Sequence, residues 1–312
     1  MSNVVERSEP TPCTRGPTDS GVELLSARKA TLGEGMTIRR LIPQRSRRMV
    51  GAWCFVDHFG PVELPADHPG LRVGPHPHIG LQTVTWLVAG EVLHRDSLGH
   101  EQLIRPGAVN LMTAGRGISH SEESPENRGP QLHGIQLWVA LPEAHHATEP
   151  AFEHVAELPR IDSGGMHITV FMGEGLGLRA PTKSYTPILG AELRFDEPGR
   201  QALKLNPDFE HALVLVEGEA EVAGHLLEAG SLAYLAPGRS EVAISTRSSA
   251  LLMLVGGAPF EEEVILWWNF VARTHEEIEH ARKDWEGSDR FGRVDGYVGD
   301  PLSAPALAGR LK

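Results

Sequence analysis

Two pairs of residues in the middle of this sequence have the types and the spacing of metal ligands. His76 and His78 flank one proline, and His120 and Glu122 flank one serine. Residues two apart in an extended strand point to the same face, so each pair presents both side chains on one side. Imidazole and carboxylate are ligands that Fe(II), Mn, Ni, Cu and Zn accept. We therefore expect a metal site where the fold brings the two pairs together.

Chance is the competing explanation, because the chain contains 16 His and some pairs at this spacing will fall on a polar strand face. The second pair, however, ends a segment with a barrel-like pattern. A tight turn, Ala114-Gly115-Arg116-Gly117, delivers it directly. This combination favours metal binding over a chance pairing.

Short apolar runs punctuated by glycine and proline separate the two pairs and predict a β-meander or barrel. The run 81–88 is rich in β-branched and aromatic residues, which favours a strand. The run 92–95 returns after a glycine turn, and 109–113 leads back to the second ligand pair after a Pro-Gly corner. In this register we expect His94 and His100 on the solvent side of a hairpin, without a role in the site.

The second half of the chain repeats the first half in outline. The order strand, glycine turn, strand, turn, strand recurs between 211 and 238, which indicates an internal duplication. The segment equivalent to the first ligand pair is Asp208-Phe209-Glu210-His211, and no histidine follows the later Pro237-Gly238 turn. We expect a second barrel without a metal, which serves as a scaffold or as a partner surface.

Four regions follow from these patterns. We expect a disordered tail at 1–20, a metal-binding barrel at 21–145, a metal-free barrel at 146–260, and a strand, a helix and a tail at 261–312 that pack on the barrels. Thr274 and Glu277 have the spacing of a capping box, which predicts the start of the helix.

Composition limits the classes of function. The net charge of −12, without an extended basic run, argues against direct nucleic-acid binding. No apolar stretch approaches the roughly 18 residues that a membrane helix needs, and the N-terminus lacks the apolar core of a signal peptide. The two cysteines, Cys13 in a polar segment and Cys54 in an apolar run, do not form a disulfide framework. We expect a soluble cytoplasmic protein.

Four longer strings carry a family resemblance: PHPHIGLQTVTWL at 75–87, HRDSLG at 94–99, MTAGRGISHSE at 112–122 and FVDHFGP at 55–61. They resemble the pirin family of the cupin superfamily, over about 33–296. The resemblance implies an all-β bicupin, with two double-stranded β-helix barrels and a short C-terminal helix. It also implies one Fe(II), held by the ligand set His76, His78, His120 and Glu122. The residues alone leave Mn, Ni, Cu and Zn open. One departure is Gln82, which stands where cupins and many pirins have a glutamate.

Some bacterial pirins are similar to quercetin 2,3-dioxygenases, so the resemblance implies an oxygenase that opens a flavonol with O2 and releases carbon monoxide. In that interpretation Glu122 is both a metal ligand and the general base. The remaining candidates are an apolar pocket wall for an aromatic substrate and neighbours of the metal ligands, namely Phe55, Trp86, Met112 and Ile118 for the wall and Gln82 and His58 for the neighbours.

Two alternatives stay open. Other pirins resemble regulators, in which iron-dependent redox change controls binding to a transcription factor or a metabolic enzyme. The acidic balance of the chain permits such a protein partner. A barrel kept only for structure is the third possibility, and the presence of all four ligands in the expected strings speaks against it.

Overall fold

The computed structural model describes residues 7–13, 21–65 and 67–308. Within these residues the chain is almost entirely β-structure, with one α-helix and one short 3-10 helix. The pattern follows the sequence: the strands are rich in Val, Ile, Leu, Thr and aromatic residues, and glycines or prolines separate them. The expected all-β bicupin class is confirmed.

The strands in chain order are β1 (Arg7–Ser8), β2 (Thr11–Cys13), β3 (Val22–Ser26), β4 (Arg28–Leu32), β5 (Met36–Ile42), β6 (Trp53–Glu63), β7 (Arg72–His78), β8 (Leu81–Ala89), β9 (Val92–Asp96), β10 (Glu101–Ile104), β11 (Val109–Thr113), β12 (Ile118–Glu123), β13 (Gln131–Ala140), β14 (Ala151–Val155), β15 (Arg160–Ser163), β16 (Met166–Gly175), β17 (Leu178–Arg179), β18 (Ile188–Phe195), β19 (Gly199–Lys204), β20 (Glu210–Glu217), β21 (Ala220–Val222), β22 (His225–Leu227), β23 (Ser231–Leu235), β24 (Glu241–Thr246), β25 (Ala250–Gly257), β26 (Val264–Trp267), β27 (Phe270–Ala272) and β28 (Ala306–Leu307). The 3-10 helix is Glu143–His145, and the α-helix α1 is His275–Gly287.

Two sheets form the first barrel. One has the order β14-β11-β8-β13-β6-β5-β4, and the other has the order β10-β9-β12-β7. The smaller sheet carries both candidate ligand pairs, since His76 and His78 end β7 and His120 and Glu122 lie on β12. The strands expected at 81–88, 92–95 and 109–113 correspond to β8, β9 and β11.

The second barrel has the same two-sheet plan. Its sheets have the orders β15-β16-β18-β25-β20-β23-β3 and β19-β24-β21-β22. A large hydrophobic cluster contains residues from the large sheets of both barrels, including Trp53, Leu137, Val214 and Met253. The indole N–H of Trp53 donates to carbonyls of the second barrel, at 3.2 Å from Leu189 O and 3.1 Å from Gly256 O. The two large sheets therefore pack face to face.

The N-terminal and C-terminal segments differ in part from what the sequence predicts. β3 pairs with β23 of the second barrel, and β14 pairs with β11 of the first, so both strands cross the predicted boundaries. Residues 7–13 were expected in a disordered tail, yet β1 pairs with β28 and β2 pairs with β26. Cys13 is fully buried there, because its strand pairs with β26, which lies near the other end of the sequence. Residues 1–6 and 14–20 lie outside the described residues.

The C-terminal segment covers the outside of the ligand-bearing strands. The N–H of Val271 donates to Ile79 O, and the N–H of Leu302 donates to Pro75 O. Helix α1 begins as its capping residues predict: the Thr274 hydroxyl accepts from the Glu277 N–H at 3.2 Å. None of the helices that the structure describes is long and apolar enough to cross a membrane.

Candidate metal centre

Strand register brings the three histidines together. β7 and β12 are antiparallel neighbours, with His120 opposite His76 and Ile118 opposite His78. One potential ligand nitrogen from each of His76, His78 and His120 lies within 4.8 Å of the others. The Nε2 atoms of His78 and His120 are 3.0 Å apart. Lone pairs of three imidazoles therefore point into one small volume.

Burial keeps these imidazoles neutral. His76 is 0% exposed, and His78 and His120 are each 1% exposed. Burial lowers the pKa of His76 to about 3 and lowers the pKa of His78 and of His120 well below the usual value. The neutral imidazole is the form that binds a metal.

Hydrogen bonds at the opposite ring nitrogen orient each histidine. Nδ1 of His76 lies 2.8 Å from Gly74 O, and Nδ1 of His78 lies 2.9 Å from Asn269 O. Nδ1 of His120 lies 3.3 Å from Nδ1 of His94. These partners fix the rings with Nε2 directed inward, as the neighbours of metal-binding histidines do.

Glu122 lines the same cavity as the three histidines, but it is not part of the tight three-residue group. The pairing of β12 with β7 shifts register between His120 and Glu122, so the strict two-residue repeat is broken at this point. Burial raises the pKa of the Glu122 carboxyl to about 7, although the Thr85 hydroxyl, 3.4 Å from Oε1, opposes the rise. The carboxylate is held near the histidines in a setting that favours its protonated form when no cation is bound.

An aromatic and charged wall closes the cavity on the side away from the ligand strands. Phe55 and Trp138 stack with ring centroids 4.1 Å apart, and the Arg40 guanidinium lies 4.6 Å from the Phe55 centroid. Arg40 forms a two-point ion pair with Asp57, at 2.8 Å (Nε to Oδ1) and 2.6 Å (Nη2 to Oδ2). Leu32 completes this wall at the sheet edge. The cavity volume is about 10 Å³, which is room for one water-sized group or ion.

Comparison with known proteins identifies the family. The pirin family model matches residues 35–139, and the model described as the pirin C-terminal cupin domain matches residues 190–292. The chain is 46% identical, over 100% of its length and 99% of the relative's, to a Pseudomonas aeruginosa protein named "Putative quercetin 2,3-dioxygenase". The chain belongs to the pirin family.

Solved structures resemble this pirin along most of its length. A quercetin 2,3-dioxygenase from Acinetobacter baumannii is 44% identical, with a TM-score of 0.91 over 95% of this chain and 98% of that one. A bacterial pirin from Escherichia coli, solved in complex with nickel(II), is 17% identical, with a TM-score of 0.60 over 77% of this chain and 100% of that one. The second likeness establishes the shared fold.

Of the four residues that the sequence predicts for the pocket wall of this pirin, the structure places one at the cavity. Phe55 lines the cavity. Trp86 lies on the opposite face of its sheet, where its indole N–H donates to Glu192 Oε2 at 2.8 Å. Met112 and Ile118 are buried in the large hydrophobic cluster and do not line the cavity. The two residues expected beside the ligands also point elsewhere: Gln82 donates to Thr113 Oγ1 at 2.9 Å and Lys183 O at 3.1 Å, and His58 pairs with His133 at 2.7 Å.

The prediction that His94 faces solvent is wrong. His94 is 4% exposed, stacks on Phe152 with centroids 4.3 Å apart, and lies between His120 and Asp96. His100 does lie at the surface, with a side chain 43% exposed. The alternation of β9 contained the signal, because His94 and Asp96 share the face of the apolar Val92. Asn269 had no such signal, since its carbonyl reaches His78 from a distant segment.

Proposed function

We propose that this pirin is a metal-dependent oxygenase that opens flavonols with O2 and releases carbon monoxide, as a quercetin 2,3-dioxygenase does. The observation that supports the proposal is the convergence of three buried neutral imidazoles beside a buried carboxylate, in a cavity of ion size. The relatives named for this activity add support, because one of them covers the entire chain.

The residues present fit a divalent metal ion. His76, His78 and His120 would bind through Nε2, and Glu122 would add an oxygen ligand, a set that suits Fe(II) and that Mn, Ni, Cu or Zn also accept. We assign Fe(II) on the basis of the family. Such an ion, when bound, supplies Lewis-acid and redox chemistry that activates an enolisable substrate towards dioxygen.

Glu122 is the residue placed to move the substrate proton. Its carboxylate is buried on the cavity wall, and its Oε1 lies 3.4 Å from the Thr85 hydroxyl. In the proposed reaction a carboxylate oxygen of Glu122 accepts the proton of the flavonol 3-hydroxyl. The Thr85 hydroxyl, which lies near Oε1, helps to orient the carboxylate.

The stacked rings of Phe55 and Trp138 supply a flat apolar surface for an aromatic substrate. The cavity beside them holds only about 10 Å³, so a three-ring flavonol requires displacement of the wall. Leu32 is the wall residue best placed to yield, because it is partly exposed and ends β4 at the edge of the sheet. Substrate entry is therefore proposed at the β4 side of the barrel.

The closed cavity also favours a second candidate function. A protein that only senses the state of a bound metal needs room for the ion and not for a flavonol, and the volume of about 10 Å³ matches that need. In this alternative the pirin is a redox-dependent regulator that binds a protein partner, and it turns over no flavonol.

The two functions are distinguished by measuring quercetin consumption and carbon monoxide release together. The protein is first loaded with Fe(II) in the absence of oxygen, and the reaction is then started with quercetin and O2. Glu122→Gln is the test variant, and Glu221→Gln, at an exposed site on β21, is the matched control. The oxygenase proposal expects equal amounts of quercetin lost and carbon monoxide formed, with turnover retained in Glu221→Gln and lost in Glu122→Gln. Full iron occupancy without carbon monoxide would refute it and leave the regulator.

A further inference from the structure

The three histidines of the metal centre have unequal hydrogen-bond partners. His76 and His78 each face one backbone carbonyl. His120 instead faces a second imidazole, since its Nδ1 lies 3.3 Å from Nδ1 of His94, whose Nε2 lies 3.2 Å from Asp96 Oδ2. A chain of imidazole, imidazole and carboxylate therefore ends on His120.

The hydrogens of this chain of groups follow from its chemistry. A His120 that binds a metal through Nε2 carries its proton on Nδ1, so the facing Nδ1 of His94 must be the acceptor. The proton of neutral His94 is then on Nε2, where it donates to Asp96. Each step has one donor and one acceptor, and only this direction of donation places the His120 lone pair at the metal.

The Asp96 carboxylate is itself fixed in orientation. Its Oδ1 accepts the backbone N–H groups of Leu98 at 2.9 Å and His100 at 3.1 Å. The His100 ring also contacts the carboxylate, with its Nδ1 3.0 Å from Oδ1 and 2.9 Å from Oδ2. Oδ2 therefore faces both Nδ1 of His100 and Nε2 of His94, the latter at 3.2 Å. Asp96 is 2% exposed and His94 is 4% exposed, so water does not replace either partner readily.

We propose that His94 and Asp96 are positioning residues that hold His120 in its metal-binding tautomer and strengthen it as a donor. The inference rests on the proposed metal site and gives the HRDSLG segment a role in tuning the bound metal. The negative charge of Asp96, carried through His94, increases the electron density on His120 and so stabilises the more oxidised state of a redox metal relative to the reduced one.

Asp96→Asn tests the direction of donation. The two backbone N–H groups hold the amide oxygen at the Oδ1 position, which turns the amide NH2 towards Nδ1 of His100 and Nε2 of His94. His94 must then accept at Nε2 and carry its proton on Nδ1, where it meets the Nδ1 proton of His120 at 3.3 Å. We expect Ni(II) affinity, measured by competition with a chelator, to fall about 10- to 100-fold, and the Fe(III)/Fe(II) potential, measured by spectroelectrochemistry, to rise.

Two further variants separate positioning from general damage. His94→Phe keeps a ring against Phe152 but removes both nitrogens, and it should lower the affinity similarly. The double variant Asp96→Asn/His94→Phe should bind no more weakly than His94→Phe, because Asp96 acts through His94. Asp162→Asn is the matched control, since this exposed carboxylate contacts His167 at 2.5 Å outside the metal centre.

The affinity and potential measurements test the positioning role independently of flavonol turnover. Wild-type affinity and potential in Asp96→Asn, or additive losses in the double variant, would overturn the positioning role, provided that thermal melting shows the metal-free variants to be folded. If the unaltered protein binds neither Ni(II) nor Fe(II), the proposed metal site itself fails. If it binds them and Asp96→Asn matches it, this inference alone fails.

Discussion

Acidification should destabilise the metal-free protein through His58, a buried histidine outside the candidate metal centre. His58 is 0% exposed, and its Nε2 lies 2.7 Å from Nε2 of His133, which in turn contacts Glu217 of the second barrel at 3.0 Å. Burial, followed by the nearby Arg39 charge, lowers the pKa of His58 to about 3. The unfolded chain restores a pKa of about 6.5.

The direction and the size of this effect on stability follow from the difference between the folded and unfolded pKa values of His58. Below about pH 6.5, His58 binds a proton in the unfolded state but stays neutral in the folded state. The free energy of unfolding therefore decreases as the pH falls from about 6.5 towards 3. At pH 5, about 1.5 units below the unfolded value, one such histidine lowers the free energy of unfolding by about 2 kcal/mol relative to pH 7.5. The same group has almost no effect above pH 7.5.

His58→Gln isolates this contribution, because an amide keeps a hydrogen-bonding group beside His133 and does not titrate. Urea denaturation of metal-free protein at pH 7.5 and pH 5.0 should show a loss of stability about 2 kcal/mol smaller in the variant than in the wild type. His225→Gln, at an exposed position on β22, is the control and should lose as much as the wild type. Equal losses in the wild type and in His58→Gln would refute the assignment.

Three further predictions concern stability and are checked by urea denaturation. Gly80→Ala should cost about 2 kcal/mol or more, because Gly80 has φ +68° and a Cβ there would overlap the Val271 carbonyl oxygen; a loss below about 0.5 kcal/mol would contradict this. Thr274→Ala should cost about 1 kcal/mol by removing the acceptor for an N–H of the first helical turn, and Thr274→Ser should cost less. Asp57→Ala should cost about 3–5 kcal/mol by removing the buried ion-pair partner of Arg40, whereas a neutral result would show that the pair adds little.

Much of the candidate metal centre was predictable because its signals are local. His76 and His78 lie two residues apart on β7, and His120 lies on β12. Side chains two residues apart share one face of a strand wherever that strand lies in the fold. The helix start at Thr274 is equally local, since a cap involves residues within one turn. The same reasoning applied to Val92, His94 and Asp96 gives their common inward face.

Other features depend on which strands meet. Trp86 and Phe55 are both aromatic residues of predicted strands, yet one faces the second barrel and the other faces the cavity. Trp138, which is paired with Phe55 on the neighbouring strand, also lines the cavity. Composition does not separate the faces of a strand that is buried on both sides, because both faces are apolar.

The sequence by itself determined the all-β class, the duplicated barrel and the histidines that converge. Only the tertiary structure decided what surrounds them: the Asn269 carbonyl on His78, the His94 ring on His120, and a cavity of about 10 Å³. The physical reason is distance along the chain. Alternation and turns act over a few residues, whereas His78 and Asn269 are 191 residues apart and meet only because the C-terminal segment packs on the closed barrel.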